Sequence, residues 1–114
     1  MEQYHDPLDT IFQALSDPTR RAVVGRLGVG PASISDLAEP FDMALPSFLK
    51  HIHLLENSGL IETRKQGRVR TCVLAKQRLA IIDGWLNDQR AVWEGRTDRL
   101  EQFLASETQK GQQP

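Results

Sequence analysis

Residues 60–74, "LIETRKQGRVRTCVL", break the pattern that governs the rest of the chain. On either side of them, apolar residues recur every three or four positions, the period of an amphipathic helix. Within them the composition turns to Ile, Thr, Val and Arg around one central glycine, Gly67. That composition reads as two short strands joined by a turn at Lys65–Arg68. An isolated two-stranded hairpin is barely stable in water and must lean on helices. With 114 residues in all, the chain suits one compact domain, mainly helical, that carries a small β appendage.

The helices before the hairpin announce themselves by their caps. In "HDPLDTIFQALS", Asp6 is placed to cap and Pro7 to open the first helix, where its missing N–H costs nothing. Leu8, Ile11, Phe12 and Leu15 then make one apolar face. "SDPTRRAVVGRLGVG" repeats the device, with Asp17 capping, Pro18 opening, and Ala22, Val23 and Leu27 as the stripe that is expected to be buried. Ser33 caps a short third helix whose Ile34, Leu37 and Ala38 face inward and which stops near Pro40. A fourth helix runs from about Ala44 to Asn57 and ends at Gly59. From Lys76 to about Ser106 the pattern is helical again, and the polar residues 107–114 read as a disordered tail. The predicted order is α-α-α-α-β-β-α, a helix-turn-helix followed by a β wing, in a single domain spanning 1–106.

Several functional classes drop out on composition. The single cysteine, Cys72, provides no intrachain disulfide and fits a reducing cytoplasm. No apolar run approaches the roughly 18–20 residues that span a membrane. The start of the chain, "MEQYHDPLDT", lacks a basic-then-apolar signal pattern. No Ser/His/Asp set, phosphate-binding glycine loop or ligand cluster suggests an enzyme or a cofactor. The net charge of −1 conceals an uneven distribution. Residues 1–19 hold four acids and no Lys or Arg, whereas residues 45–78 hold seven Lys or Arg against two acids. A local basic patch in a mildly acidic chain is the footprint of a polyanionic partner.

The fourth helix carries the two histidines that invite a metal reading. At about 100° per residue, His51 and His53 lie about 200° apart and cannot share an ion. Phe48, Ile52, Leu55, Leu45 and Leu49 form the inward stripe, with His51 at its edge as a packed, hydrogen-bonded histidine. Pro46, Ser47, Lys50, His53 and Asn57 point the other way, together with Leu54. In a helix-turn-helix, such outward residues near the start of the second helix reach base edges in the major groove. Arg64, Lys65, Arg68 and Arg70 on the hairpin are placed to hold phosphates or enter a minor groove. In the last helix, about 76–106, Leu79, Ile82, Leu86, Gln89, Trp93, Arg96, Leu100 and Phe103 repeat at +3 and +4. That seam is expected to pair with a second copy, together with Leu8 and Ile11 of the first helix. The competing reading is a winged-helix protein-interaction module without specific DNA binding.

The segments "ALSDPTRRAVVGRL", "ISDLAEPFDMALPSFLKHIHLLENSGLI" and "RKQGRVRTCVL" resemble the ArsR/SmtB family of bacterial winged-helix repressors, over about Leu8 to Leu74. Trp85, Arg90, Trp93, Glu94, Arg96 and Asp98–Leu100 resemble a subgroup often without metal sites. The resemblance implies a homodimer formed through the first and last helices. It also implies repression from an inverted repeat in a promoter. Its base-reading positions fall on Pro46, Ser47, Lys50 and His53, and its wing positions on Lys65, Arg68 and Arg70. Two positions depart from the family pattern: Ala44 stands where Ser or Thr is usual, and Leu49 where Ser is often found. The metal-sensing branches carry a cysteine pair in the third helix or histidines in the last, and this chain has neither. The effector ligand is left unknown, and Cys72 is expected to be a small apolar strand residue rather than a sensor.

Overall fold

The computed structural model describes residues 6–112; His5 and the last two residues of the expected tail lie outside them. The elements are α1 (Pro7–Ala14), α2 (Pro18–Leu27), β1 (Ala32–Ser33), α3 (Ile34–Ala38), α4 (Leu45–Asn57), β2 (Ile61–Gln66), β3 (Val69–Leu74) and α5 (Lys76–Gln112). The chain divides into two units, residues 1–82 and 83–114. The first unit, within its described residues, contains the whole helix-turn-helix and wing, plus the opening turns of α5.

The caps act as the sequence suggests. The Asp6 carboxylate accepts from the Leu8 N–H at 2.9 Å, Asp17 from Arg20 N–H at 3.1 Å, and the Ser33 hydroxyl from Asp36 N–H at 3.1 Å. Pro7 and Pro18 occupy the first helical positions. Helix α4 closes with both hydrogen bonds of a glycine C-cap: Leu60 N–H to Leu55 C=O at 3.2 Å and Gly59 N–H to Glu56 C=O at 2.9 Å. Gly59 has φ +80, a left-handed backbone conformation that favours glycine.

One strand was not foreseen. Ala32 and Ser33 pair with Cys72 and Thr71, so the sheet has three antiparallel strands in the order β1-β3-β2. Two residues are too few to show an alternating pattern, and their pairing is decided entirely by the distant β3. The β2–β3 turn is the two residues Gly67–Arg68, flanked by the paired Gln66 and Val69. Gly67 has φ +63 and, among the described residues, no non-glycine residue has positive φ, which is the signature of a turn with glycine at its first central position.

The core gathers Ile11, Val23, Leu27, Leu37, Phe48, Ile52, Leu55, Leu60, Ile61 and Cys72. Phe41, in the turn before α4, stacks on Phe48 at 5.6 Å between ring centroids and fixes the helix-turn-helix angle from inside. The start of α5 joins in through Leu79, Ile81 and Ile82. Several expected faces are shifted. Phe12 is 41% exposed and Ala14 is buried in its place, because α1 is short and turns its Ile11–Ala14 edge to the core. Ala22 is exposed, and Leu45 is 54% exposed because it opens α4 beyond the core's reach. Helix α5 continues through Gln112 rather than stopping near Ser106. Residues 107–110 contain neither Pro nor Gly to end it.

The residue in phase with Val23 and Leu27 on α2 is Arg20, and it is buried, 9% exposed. Its Nε donates to the Ala14 carbonyl at 2.7 Å, and Nη1 donates to His51 Nδ1 at 2.9 Å. A longer contact of 3.4 Å runs from Nη2 to the Gln13 carbonyl. Guanidinium is a donor only, so His51 accepts at Nδ1 and carries its proton on Nε2. One side chain thus ties the end of α1, the start of α2 and the middle of α4 together. Asp17 completes the group, with its carboxylate 3.7 Å from His51 Nδ1. Desolvation works to raise the Asp17 pKa. The Arg20 N–H, the Arg20 guanidinium charge and the Thr19 N–H outweigh it and hold the carboxyl below its ordinary 3.8.

Arg20→Met keeps the bulk but leaves the Ala14 carbonyl and His51 without their donor. It should cost about 3 kcal/mol, read as a lower urea midpoint at unchanged slope. A depressed folded pKa means that the stabilisation from Asp17 is complete above 3.8 and is lost as pH falls through the folded value. Asp17→Asn should therefore lower stability at pH 6 and flatten its decline below pH 4, measured by urea melts across pH. Cys72 is fully buried, and desolvation, with Glu56 adding and Arg70 opposing, pushes its thiol up to about 11. Because the thiolate is the reactive form, native protein at pH 8 should leave a thiol reagent unreacted, and denatured protein should consume one equivalent. Prompt native labelling would show that Cys72 is accessible.

Candidate nucleic-acid interface

The outer face of α4 follows from how its inner face is buried. Phe48, Ile52 and Leu55 are each at most 1% exposed, at i, i+4 and i+7. That phase leaves Pro46, Ser47, Lys50, His53 and Asn57 exposed on the opposite side. Leu49 is half-buried at the boundary, and Leu54 is 43% exposed on the outer side. The helix begins without a side-chain cap, because Ala44 has no acceptor to offer; only its backbone carbonyl receives Ser47 and Phe48 N–H, at 3.0 and 3.1 Å. No acid occupies the first turn. An uncapped, acid-free helix start beside exposed Ser47 and Lys50 is electrostatically open to an anion.

The two histidines are separated as helix geometry requires. His51 is turned inward and held by Arg20, while His53 is exposed on the outer face. Among the described residues, no group of three His, Cys, Asp or Glu side chains is close enough to hold a metal ion.

The wing gains its charge pattern from its register. Lys65 lies directly across from Arg70, and Arg64 across from Thr71. Like charges facing each other across two strands oppose folding. Neither Lys65 nor Arg70 has an acidic partner among the described residues. Arg64 differs: its Nη2 is 3.7 Å from Glu62 Oε2, a pair open to solvent on both sides. Arg68, at the turn, is exposed. The expected wing residues therefore divide into one partly neutralised cation, Arg64, and three with no ion-pair partner among the described residues, Lys65, Arg68 and Arg70. At the wing's base, Thr63 donates to Glu56 at 2.8 Å, which fixes the hairpin to the last turn of α4. Helix α4 and the hairpin are thereby held in a set relation.

The residues expected at an interface with a second copy are placed less uniformly. Ile11 is fully buried in the first unit's own core, because the Ile11–Ala14 edge of α1 faces α4. Leu8 is half-buried, and Leu79 and Ile82 pack partly against the core. In the second unit Leu86, Trp93, Leu100 and Phe103 are 39%, 71%, 58% and 60% exposed, as are Val92 and Leu104 at 60% and 54%. An apolar run of that extent on one helix is far more than a solvated surface usually carries. No described helix is long and apolar enough to cross a membrane.

Known proteins share this arrangement. A family model described as a helix-turn-helix domain matches residues 15–64. The chain is 35% identical over 82 residues to the HTH-type transcriptional regulator Rv2034 of Mycobacterium tuberculosis, covering 72% of this chain and 76% of that one. It is 33% identical over 61 residues to the transcriptional repressor SdpR of Bacillus subtilis, covering 54% and 68%. A crystal structure of an ArsR family transcriptional regulator superposes with a TM-score of 0.76 at 62% identity, over 78% of this chain and 98% of that one. The winged helix-turn-helix built around α3, α4 and the β2–β3 hairpin, together with these relatives, places the chain in the ArsR family of DNA-binding transcriptional regulators.

Proposed function

We propose that the protein is a homodimeric repressor that binds an inverted repeat in a promoter. Helix α4 enters the major groove and the wing, residues 64–70, lies along the neighbouring backbone or minor groove. The observation that carries this reading is the exposed set Pro46, Ser47, Lys50 and His53, backed by a rigid core and flanked by unpaired wing cations. Lys50 donates to guanine O6 and N7, and Ser47 to a base edge or phosphate. His53 sits further along the same face, and Arg64, Lys65, Arg68 and Arg70 supply charge that is indifferent to sequence. Repression is the role named for the SdpR relative.

The dimer is supported by the exposed apolar run on α5, with Leu86, Trp93, Leu100 and Phe103 in its seam; Leu79, Ile82 and Leu8 are the further interface positions in the first unit. Twofold symmetry would present two α4 helices about 34 Å apart, one turn of DNA, which matches an inverted repeat. The role requires no cofactor, metal or catalytic group, and a regulator acting on promoter DNA works in the cytoplasm.

Lys50→Ala should weaken binding to the specific operator by about 1–3 kcal/mol and leave non-specific DNA nearly unaffected. Arg68→Ala should weaken all sequences alike and lower the salt slope by about one. Footprinting on the DNA upstream of the protein's own gene, followed by titrations at several salt concentrations, measures both. Unchanged operator affinity for Lys50→Ala would remove the base-reading role. Weak, salt-insensitive association by the parent would favour a protein-interaction module.

A further inference from the structure

Strand β1 brings the start of α3 against the wing. Ser33 pairs with Thr71, one residue from Arg70, and between the two elements lies a concavity of about 380 Å³. Ser33, Ile34, Ser35, Arg68, Val69 and Arg70 line it. Its polar groups are two guanidiniums and two hydroxyls, and no carboxylate lines it. Asp36, the nearest acid in sequence, lines a separate groove with Arg26. Ser33 accepts the Asp36 N–H and so keeps its hydroxyl proton to donate. Ser35 is exposed. Neither arginine has an ion-pair partner among the described residues, and Arg70 also faces Lys65 across the strands.

We propose that this concavity is a cradle for one phosphate of the DNA backbone, held by Arg68 and Arg70 from the wing and by Ser33 and Ser35 from the start of α3. The inference rests on the DNA-binding reading and adds to it a residue pair outside the recognition helix and the wing. Its chemistry is that of an anion with several acceptor oxygens. Two arginines supply charge-assisted donors, and two hydroxyls complete a converging set around a tetrahedral group. The bound phosphate would also relieve the Lys65–Arg70 repulsion. Because β1 fastens α3 to β3, a phosphate gripped by both would fix the register in which α4 meets the bases.

The test compares the full-length parent with Ser35→Glu, Ser35→Ala and, as a charge-matched control, Gln77→Glu at an exposed site outside the cradle. Ser35→Glu puts a carboxylate where the phosphate would sit. It should lose at least tenfold in affinity for operator and random DNA alike, with a shallower salt slope, while its thermal melt stays at the parent's. Gln77→Glu should change affinity less than twofold. Operators carrying one uncharged methylphosphonate linkage at a time should reveal a linkage that weakens the parent but no longer weakens Ser35→Ala further. If Ser35→Glu binds like Gln77→Glu, or no linkage couples to Ser35, the cradle is wrong, while parent binding and the Lys50 effect would leave the DNA reading intact. Parent protein without salt-dependent DNA binding would overturn both. Inorganic phosphate at equal ionic strength should compete no better than chloride. Stronger competition would make this a free-phosphate site and overturn the DNA assignment.

Discussion

The geometry of the outer face of α4 depends on a buried cation. Arg20 enters the core on the same stripe as Val23 and Leu27, and its guanidinium is satisfied by a backbone carbonyl at the end of α1 and a ring nitrogen on α4. A buried charge is tolerable only when its donors are matched, so each partner's position is tightly constrained. The carbonyls at the end of α1 carry the negative pole of that helix, which suits a cation there. His51 is the consequential partner. It lies one residue from Lys50 and four from Ser47 on the same helix, so holding His51 sets the rotation of α4 about its own axis. The side chains on the outer face of α4 are aimed by a contact on the helix's other side.

A second constraint acts on the wing, with opposite sign. The Lys65–Arg70 pairing and the unpartnered Arg68 are arrangements that folding alone would disfavour. They persist because the hairpin is anchored elsewhere: by Ile61 and Cys72 in the core, by Thr63 on Glu56, and by β1 along β3. The anchored base carries apolar and hydrogen-bonded residues, and the free end carries charge. This division lets a small hairpin hold concentrated positive potential without an acidic partner. Glu62 moderates only Arg64, on the face of β2 away from Lys65.

Local signals were the legible part of the sequence. Asp6, Asp17 and Ser33 could be read as caps because a cap is decided within four residues. The outward set on α4 could be read because Phe48, Ile52 and Leu55 fix the helix phase by themselves. Gly59 and Gly67 marked a helix end and a turn because each needs a positive φ. What stayed hidden depends on distant partners. Strand β1 exists only because Cys72 and Thr71 offer it an edge. Phe12 outweighs Ala14 on any hydrophobic scale, yet the close approach of α1 to the core favours the smaller residue. Arg20 had a signal, its +3 and +7 spacing to Val23 and Leu27, but an arginine in an apolar phase reads as a surface residue unless its acceptors are known.

Ala44 and Leu49 were the two departures from the family pattern on α4, and the structure gives them different physical meanings. Ala44 withholds a side-chain acceptor from the helix start, so the first turn is held only through the Ala44 carbonyl. No acid occupies that first turn either. Leu49 is half-buried, so most of its surface already serves the core. Its remaining edge is apolar and offers no hydrogen bond. The two departures therefore act at different places: Ala44 on how the helix begins, and Leu49 on the boundary between its buried and exposed faces.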